Sequence, residues 1–272
     1  MNTQDMMDLA LELAGIDETP EDSGVVVPCE EIRRVMIGVD IDTADLLLAE
    51  RLGVDLVIGH HPVTGSPAVN MYRVMERQIE LMTGAGVPIN KAQKVLRERM
   101  GSVERGSHPR NYDRVGSAAR LLGMPLMNIH LPLDIVTETV VQAHLDEKLT
   151  QESTLQDVVD ALKDIPEYDG EPAGPRIRYG SEGDYAGKVF VSMAGGTNGG
   201  SAVMKAYFEA GIGTLVLMHI PEDVLKAVRD QGIGNILVAG HMRSDSVGIN
   251  RFIAALEERD IDVISMGGII RP

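Results

Sequence analysis

The sequence predicts an α/β fold, built as two layered α/β halves with mixed or parallel sheets. Three observations predict it. Short apolar runs alternate with helix-length amphipathic stretches along most of the chain. The block from Val35 to His61 reads strand–helix–strand, a compact βαβ unit. Hydrophobic residues make up 44% of the chain but aromatics only 3%, so Val, Ile, Leu, Ala and Met must build the core. That palette suits a buried parallel sheet covered by helices.

The elements follow in order. The N-terminal stretch is an amphipathic helix with Met6, Leu9, Ala10, Leu13 and Ala14 on one face. Asp17–Gly24 is a loop rich in Asp, Glu, Pro and Gly. Val35–Val39 is a strand, Thr43–Leu52 a helix and Leu56–Gly59 a strand that ends at His60. Met71–Gly84 and Lys91–Met100 read as helices, Gly101–Pro109 as a charged loop, and Tyr112–Leu122 as a helix closed by Gly123. Leu126–Ile129 is a strand, Ile135–Lys148 a helix, and Ser153–Gln156 resembles a capping box opening a helix through Leu162. Ile165–Asp184 is polar and rich in Pro and Gly.

A second alternating half then begins. It has strands at Val189–Ala194, Thr214–Met218, Ile236–Ala239 and Val263–Ser265, with helices at Ser201–Ala210, Pro221–Gln231 and Ser246–Arg259. The expected organisation is an N-terminal half over 1–150, a linker or peripheral segment over 151–184, and a C-terminal half over 185–272, the halves being free to intertwine.

A formal net charge of −16 opposes sequence-independent nucleic-acid binding, which needs clustered Lys and Arg. It reads as a solvated surface, with local carboxylates as candidate cation holders. The single cysteine, Cys29, rules out a disulfide within the chain and a Cys-based zinc cluster, and fits a reducing, cytoplasmic setting. The first residues show neither a signal-peptide pattern nor a membrane span, so no membrane association is expected.

His60, His130, His219 and His241 each stand at or just beyond the end of an apolar strand. Ligands of α/β sheets gather beyond the carboxyl ends of strands, so these residues could converge. The sharpest motif is Gly59-His60-His61-Pro62-Val63. Adjacent histidines in a strand point to opposite faces, so a turn at Pro62 is required to bring both to one site; neutral imidazoles are common ligands of zinc, iron and related metals. In His130-Leu131-Pro132-Leu133-Asp134, Asp134 is either a helix N-cap or a carboxylate ligand, and His130 a ligand or its hydrogen-bonded support. In Gly240-His241-Met242-Arg243-Ser244-Asp245, His241 and Asp245 share a face if the helix starts early; otherwise Ser244 or Asp245 caps it. Arg243 would pair with Asp245 or face an anionic substrate. Together His60, His61, Asp134, His241 and Asp245 would suit two metal ions with open positions. Gly195–Gly200 is either a tight turn or a phosphate cradle, and it lacks a P-loop lysine. Asp40 and Asp42 follow the first strand of the βαβ unit as helix caps or as supports for His60 or His61.

The segments VMIGVDIDTADLLLAERLGVDLVIGHHPV, HLPLD and GHMRSDSVGINRFIAAL resemble the NGG-interacting-factor-three family, which includes GTP cyclohydrolase I type 2 homologues. The resemblance spans most of the chain. It implies a two-metal site at the strand ends between the halves, with His60, His61, Asp134, His241 and Asp245 as ligands to two divalent ions; imidazole plus carboxylate suits zinc, iron and manganese alike. It implies a homohexamer and hydrolytic opening of the GTP imidazole ring, so a small, nucleotide-like substrate is expected. His219 and Glu222, where the family often shows Thr-Gly-Asp/Glu, are candidates for proton transfer. Asp245 stands where the family usually has Glu. His108 and Asp113, in GSHPRNYD, compete with His130 and Asp134 for the second motif. A non-catalytic metal-binding regulator or scaffold, or a two-metal phosphoesterase, would use the same ligands.

Overall fold

The computed structural model describes residues 1–170 and 172–272. In chain order its elements are α1 (Thr3–Ala14), β1 (Gly24–Val27), β2 (Arg34–Gly38), α2 (Thr43–Leu52), β3 (Leu56–Gly59), α3 (Gly65–Val74) and α4 (Arg77–Gly84). There follow α5 (Ile89–Ser107), α6 (Arg114–Leu122), β4 (Leu126–Asn128), α7 (Leu131–Lys148), α8 (Leu155–Lys163) and a 3-10 turn at Pro166–Tyr168. The chain closes with β5 (Arg176–Tyr179), β6 (Val189–Val191), α9 (Gly200–Glu209), β7 (Thr214–Leu217), α10 (Glu222–Gln231), β8 (Asn235–Val238), α11 (His241–Glu257) and β9 (Asp262–Met266). The α/β class expected from the sequence is observed.

Two compact units form, each discontinuous in sequence. One takes Met1–Val74, Val103–Val136 and Asp245–Arg271; the other takes Met75–Ser102, Thr137–Ser244 and Pro272. The first holds a five-stranded sheet in the order β1-β4-β3-β2-β9. Strands β4, β3, β2 and β9 run parallel and β1 is antiparallel to β4. Capping boxes at Asn2/Asp5 and Asp42/Asp45 start α1 and α2, and left-handed Gly15, Gly53 and Gly123 end α1, α2 and α6. Its core includes Met36, Ile41, Leu46, Ala49, Val57, Val115, Ala119 and Leu126. Each such side chain taken fully out of water contributes roughly 1–3 kcal/mol.

The second unit holds the sheet β5-β8-β7-β6, with β6, β7 and β8 parallel and β5 antiparallel to β8. Val203, Tyr207, Leu215, Val216, Val228, Ile236 and Leu237 are buried there.

Several elements differ from expectation. Leu13 is 38% exposed, and Met7 and Leu11 take its place on the buried side of α1. A strand, β1, follows the loop that ends near Gly24. The expected helix over Met71–Gly84 is two helices, α3 and α4. Helix α5 runs through Ser107, past Gly101 and Gly106, each of which costs a helix only about 1 kcal/mol relative to alanine. The cap of α8 is Thr154, closed by Asp157, rather than a box from Ser153 to Gln156. Within the polar stretch 165–184, Arg176–Tyr179 is an edge strand. Among the described residues no helix is long and apolar enough to cross a membrane.

Candidate metal centre

The first unit gathers three of its four histidines, His60, His61 and His130, beyond the carboxyl ends of adjacent parallel strands. β3 ends at Gly59, and His60 and His61 follow in a bend. Their amides still donate to Gly38 O and Val39 O at 2.9 Å, so the backbone stays tied to β2 while the chain turns ahead of Pro62. A Cβ at Gly59 would come within 3.3 Å of Ile41, which explains a glycine just before the histidines. His130 follows β4, and Asp134 lies one turn into α7, which begins at Leu131. Asp134 is therefore a residue of the helix body near its start, with its amide donating to His130 O at 3.2 Å, and not the helix N-cap. Helix α11 begins at His241, so Asp245 sits in its second turn and is not a cap either.

These groups face one another. The ring centroids of His60, His61 and His130 are 4.9–5.6 Å apart. His60 Nε2 lies 3.4 Å from Asp134 Oδ1 and 3.8 Å from Asp245 Oδ1. His61 Nε2 lies 3.6 Å from Asp245 Oδ2, and His130 Nε2 3.6 Å from Asp134 Oδ2. His60, His130, Asp134 and Asp245 are each 5% exposed or less.

The hydrogen bonds set the tautomers. His60 Nδ1 lies 3.0 Å from Ile129 O. A carbonyl only accepts, so Nδ1 carries the proton and the neutral ring presents a lone pair at Nε2. That Nε2 is buried without a hydrogen bond, and so is Asp134 Oδ1. A lone pair set against carboxylate oxygens is repulsive unless a cation lies between them, whether a proton or a metal ion. The donor set fits such an ion. One ligand atom each from His60, His61 and His130 lie within 4.8 Å of one another, as do those from His60, Asp134 and Asp245. Imidazole and carboxylate together suit zinc, iron and manganese.

The electrostatics agree. Burial acts to lower the His60 pKa, but Asp134 and Asp245 outweigh it and the net shift is upward. Burial likewise opposes a charge on His130, yet Asp134 and Asp22 carry its pKa up to about 9. His61 moves the other way, down to about 4, through burial and repulsion from His60 and His130. Asp245 is pushed up to about 7 by burial, with Asp134 adding to the shift against the pull of His60. Asp134 is also penalised by burial, but His130 and His60 hold its pKa below the usual carboxylate value.

The remaining candidates separate. Asp40 bonds His61 Nδ1 at 2.8 Å, whereas Asp42 caps α2. His108 lies in the turn after α5, and Asp113 pairs with Arg120, so neither competes for the cluster. His241 opens α11 one turn before Asp245, which puts both on one helix face. In the second unit its ring lies 5.0 Å from that of His219, at the ends of neighbouring strands β8 and β7. Burial and the Arg99 charge lower the His219 pKa. Glu222 is 83% exposed at the start of α10 and faces Arg229 at 3.6 Å. Arg243 neither pairs with Asp245 nor faces solvent: it donates to the carbonyls of Glu167, Asp169 and Pro172. The glycine loop at 195–200 closes around Gln78, whose Nε2 donates to Gly195 O and Thr197 O. A Cβ at Gly195 would lie 2.7 Å from Gln78, so the loop is the tight turn of the two alternatives. Sequence reasoning missed Asp22 altogether; the turn-like Glu-Asp-Ser-Gly around it carries no ligand signature.

Fold and cluster together define a class: an α/β protein whose buried histidines and aspartates, at the ends of parallel strands, could hold a metal ion. A NIF3 superfamily protein from Sphaerobacter thermophilus is 40% identical to this chain, covers 98% of it and is itself covered to 98%, and superposes with a TM-score of 0.93. The chain belongs to the NIF3 superfamily, as its motifs implied. Two further structures share the fold: reduced HcgD from Methanocaldococcus jannaschii (15% identity, 97% of each chain, TM-score 0.61) and a Bacillus cereus protein related to NIF3 (11% identity, 98% of this chain and 96% of that one, TM-score 0.54). No family model and no curated protein matches the sequence.

Proposed function

We propose that this protein is a metal-dependent hydrolase of the cyclohydrolase kind, acting on a small nucleotide-like molecule. His60, His61, Asp134, His241 and Asp245 would hold two divalent ions of zinc, iron or manganese. The observation that carries the reading is the buried His60 Nε2, which has no hydrogen bond and faces the oxygens of Asp134 and Asp245. When bound, the ions would supply Lewis acidity and an acidified water near neutral pH.

The chain's own residues supply the rest. The Ile129 carbonyl and the Asp40 carboxylate turn the His60 and His61 rings so that Nε2 faces inward. His61, with its pKa held down at about 4, stays neutral at physiological pH, the form in which an imidazole ligates a metal. The low exposure of His60, Asp134 and Asp245 keeps water off their coordinating atoms. Of the two proposed proton-transfer residues His219 is favoured, because burial and Arg99 lower its pKa, whereas Glu222 is exposed beside Arg229. The net charge of −16 favours a small-molecule substrate over nucleic acid, with the ions attracting any anionic group. A homohexamer in the cytoplasm without membrane association completes the reading, and sedimentation of the purified protein measures the assembly.

The test is metal analysis combined with formate release from GTP. Stoichiometric metal with formate release supports the reading. Stoichiometric metal without turnover of any nucleotide would remove the cyclohydrolase and leave the metal centre. Phosphate release across a panel of phosphoesters would assign the same centre to a phosphoesterase.

A further inference from the structure

We propose that Asp22 is a positioning residue of the metal centre, holding His130 so that its Nε2 is presented to the cluster as a further ligand atom. This inference rests on the metal reading above. Asp22 is 0% exposed, on the loop just before β1. A carboxylate so buried needs strong partners. Its Oδ2 lies 2.6 Å from His130 Nδ1, and its Oδ1 accepts from Ser23 Oγ at 3.3 Å.

The contact is held on both sides. Asn128 Nδ2 donates to Asp22 O at 2.6 Å, and the His130 amide donates to Ser23 Oγ at 2.9 Å. Gly24 pairs with Asn128 where β1 runs antiparallel to β4. Residues 22–24 are thus clamped onto residues 128–130.

The geometry leaves His130 one available ring nitrogen. With Nδ1 engaged by a carboxylate, Nε2 is directed at Asp134 Oδ2, 3.6 Å away, and toward the rings of His60 and His61. All three imidazoles are therefore oriented through Nδ1 by an oxygen: a neutral carbonyl for His60, the exposed Asp40 for His61, and a buried anion for His130. A carboxylate on the outer nitrogen fixes the tautomer and makes the inner nitrogen a stronger donor to a metal. The charge matters here as well as the hydrogen bond, which separates this role from simple packing.

Asp22→Asn keeps an acceptor at the same place and removes the charge. Wild-type and variant protein are titrated with Co(II) against a chromophoric chelator, with far-ultraviolet circular dichroism as the check on folding. The expected result is a folded variant with about 10–100-fold weaker Co(II) binding and an altered visible absorption band. Wild-type affinity with an unchanged band would overturn the role of Asp22 and leave the metal centre intact. Wild-type protein that takes up no Co(II) would overturn both. Nitrogen-15 spectra of the wild-type imidazoles give a measurement that needs no variant. Zn(II) is expected to shift His130 Nε2 while Nδ1 keeps its proton, and an Nε2 that does not respond overturns the proposal.

Discussion

Asp245→Asn should stabilise the metal-free protein and abolish its stabilisation by metal. The Asp245 carboxyl is pushed from its ordinary 3.8 up to about 7, by burial first and by the neighbouring Asp134 among the other causes. At pH 8 it is mostly ionised, so the metal-free fold carries a strained charge. At about 1.4 kcal/mol per pH unit, that strain is on the order of 4 kcal/mol. Asparagine removes it, but His60 and His130 lose an attracting partner. About half the gain, roughly 2 kcal/mol, is expected to remain. Over 272 residues the unfolding entropy is about 0.6 kcal/mol/K, so Tm should rise by roughly 3–4 °C. Metal at a hundred times its Kd should raise wild-type Tm by about 5 °C, from a stabilisation of about 2.7 kcal/mol. In Asp245→Asn that rise should vanish. Scanning calorimetry at pH 8, with chelator and with Zn(II), measures both. A metal-free variant that melts below wild type, or one that keeps the full Zn(II) rise, would refute the reasoning.

Other outcomes follow from the same groups. His60 and His130 have pKa values raised above the unfolded value of 6.5, His130 to about 9, so their contribution to stability is present below that value and lost as pH rises through the folded one. Chelated protein should therefore lose about 2–3 kcal/mol between about pH 7 and 9, a window in which the depressed His61 contributes no further change, and metal-loaded protein should not. Denaturant melts across pH check this, and parallel curves with and without metal would count against it. Metal loading near pH 7.5 should release protons from His60 and His130, read by titration calorimetry in buffers of different ionisation enthalpy; a heat independent of buffer contradicts the assignment. In the second unit, Glu138 accepts from Met193 N and Ala194 N at 2.9 Å and from Arg77 Nη1 at 2.7 Å. Glu138→Ala should cost about 3 kcal/mol in denaturant unfolding, and a loss under 1 kcal/mol would show that the network is not structural.

Much of this architecture was legible in the sequence because strand ends carry a signature. His60 and His61 follow a short apolar run that reads as a buried strand, and the run lies inside a βαβ block whose parallel register the structure shows from Val35–Leu56 to Gly38–Gly59. The helical spacing of His241 and Asp245 could be stated from sequence but not decided, because Ser and Asp near a helix start look alike as caps and as ligands. Helix α11 decides it by starting at His241. Asp22 was hidden for a different reason. Its partner His130 lies 108 residues away, and a loop carboxylate takes its meaning from what folds against it. The two discontinuous units were hidden likewise, since periodicity reports which face of an element is buried and not which distant element buries it. Helix α5 passes through Gly101 and Gly106 where propensity alone suggests a loop.

Everything proposed for this protein depends on His60, His61, Asp134 and Asp245 converging on a metal ion. Anomalous diffraction from crystals of the protein loaded with Zn(II), collected on both sides of the zinc edge, tests it most directly. An anomalous peak is expected within coordination distance of His60 Nε2 and an Asp134 or Asp245 oxygen. Zinc-loaded crystals with no peak there, and a His60 Nε2 hydrogen-bonded to Asp134 instead, would contradict it.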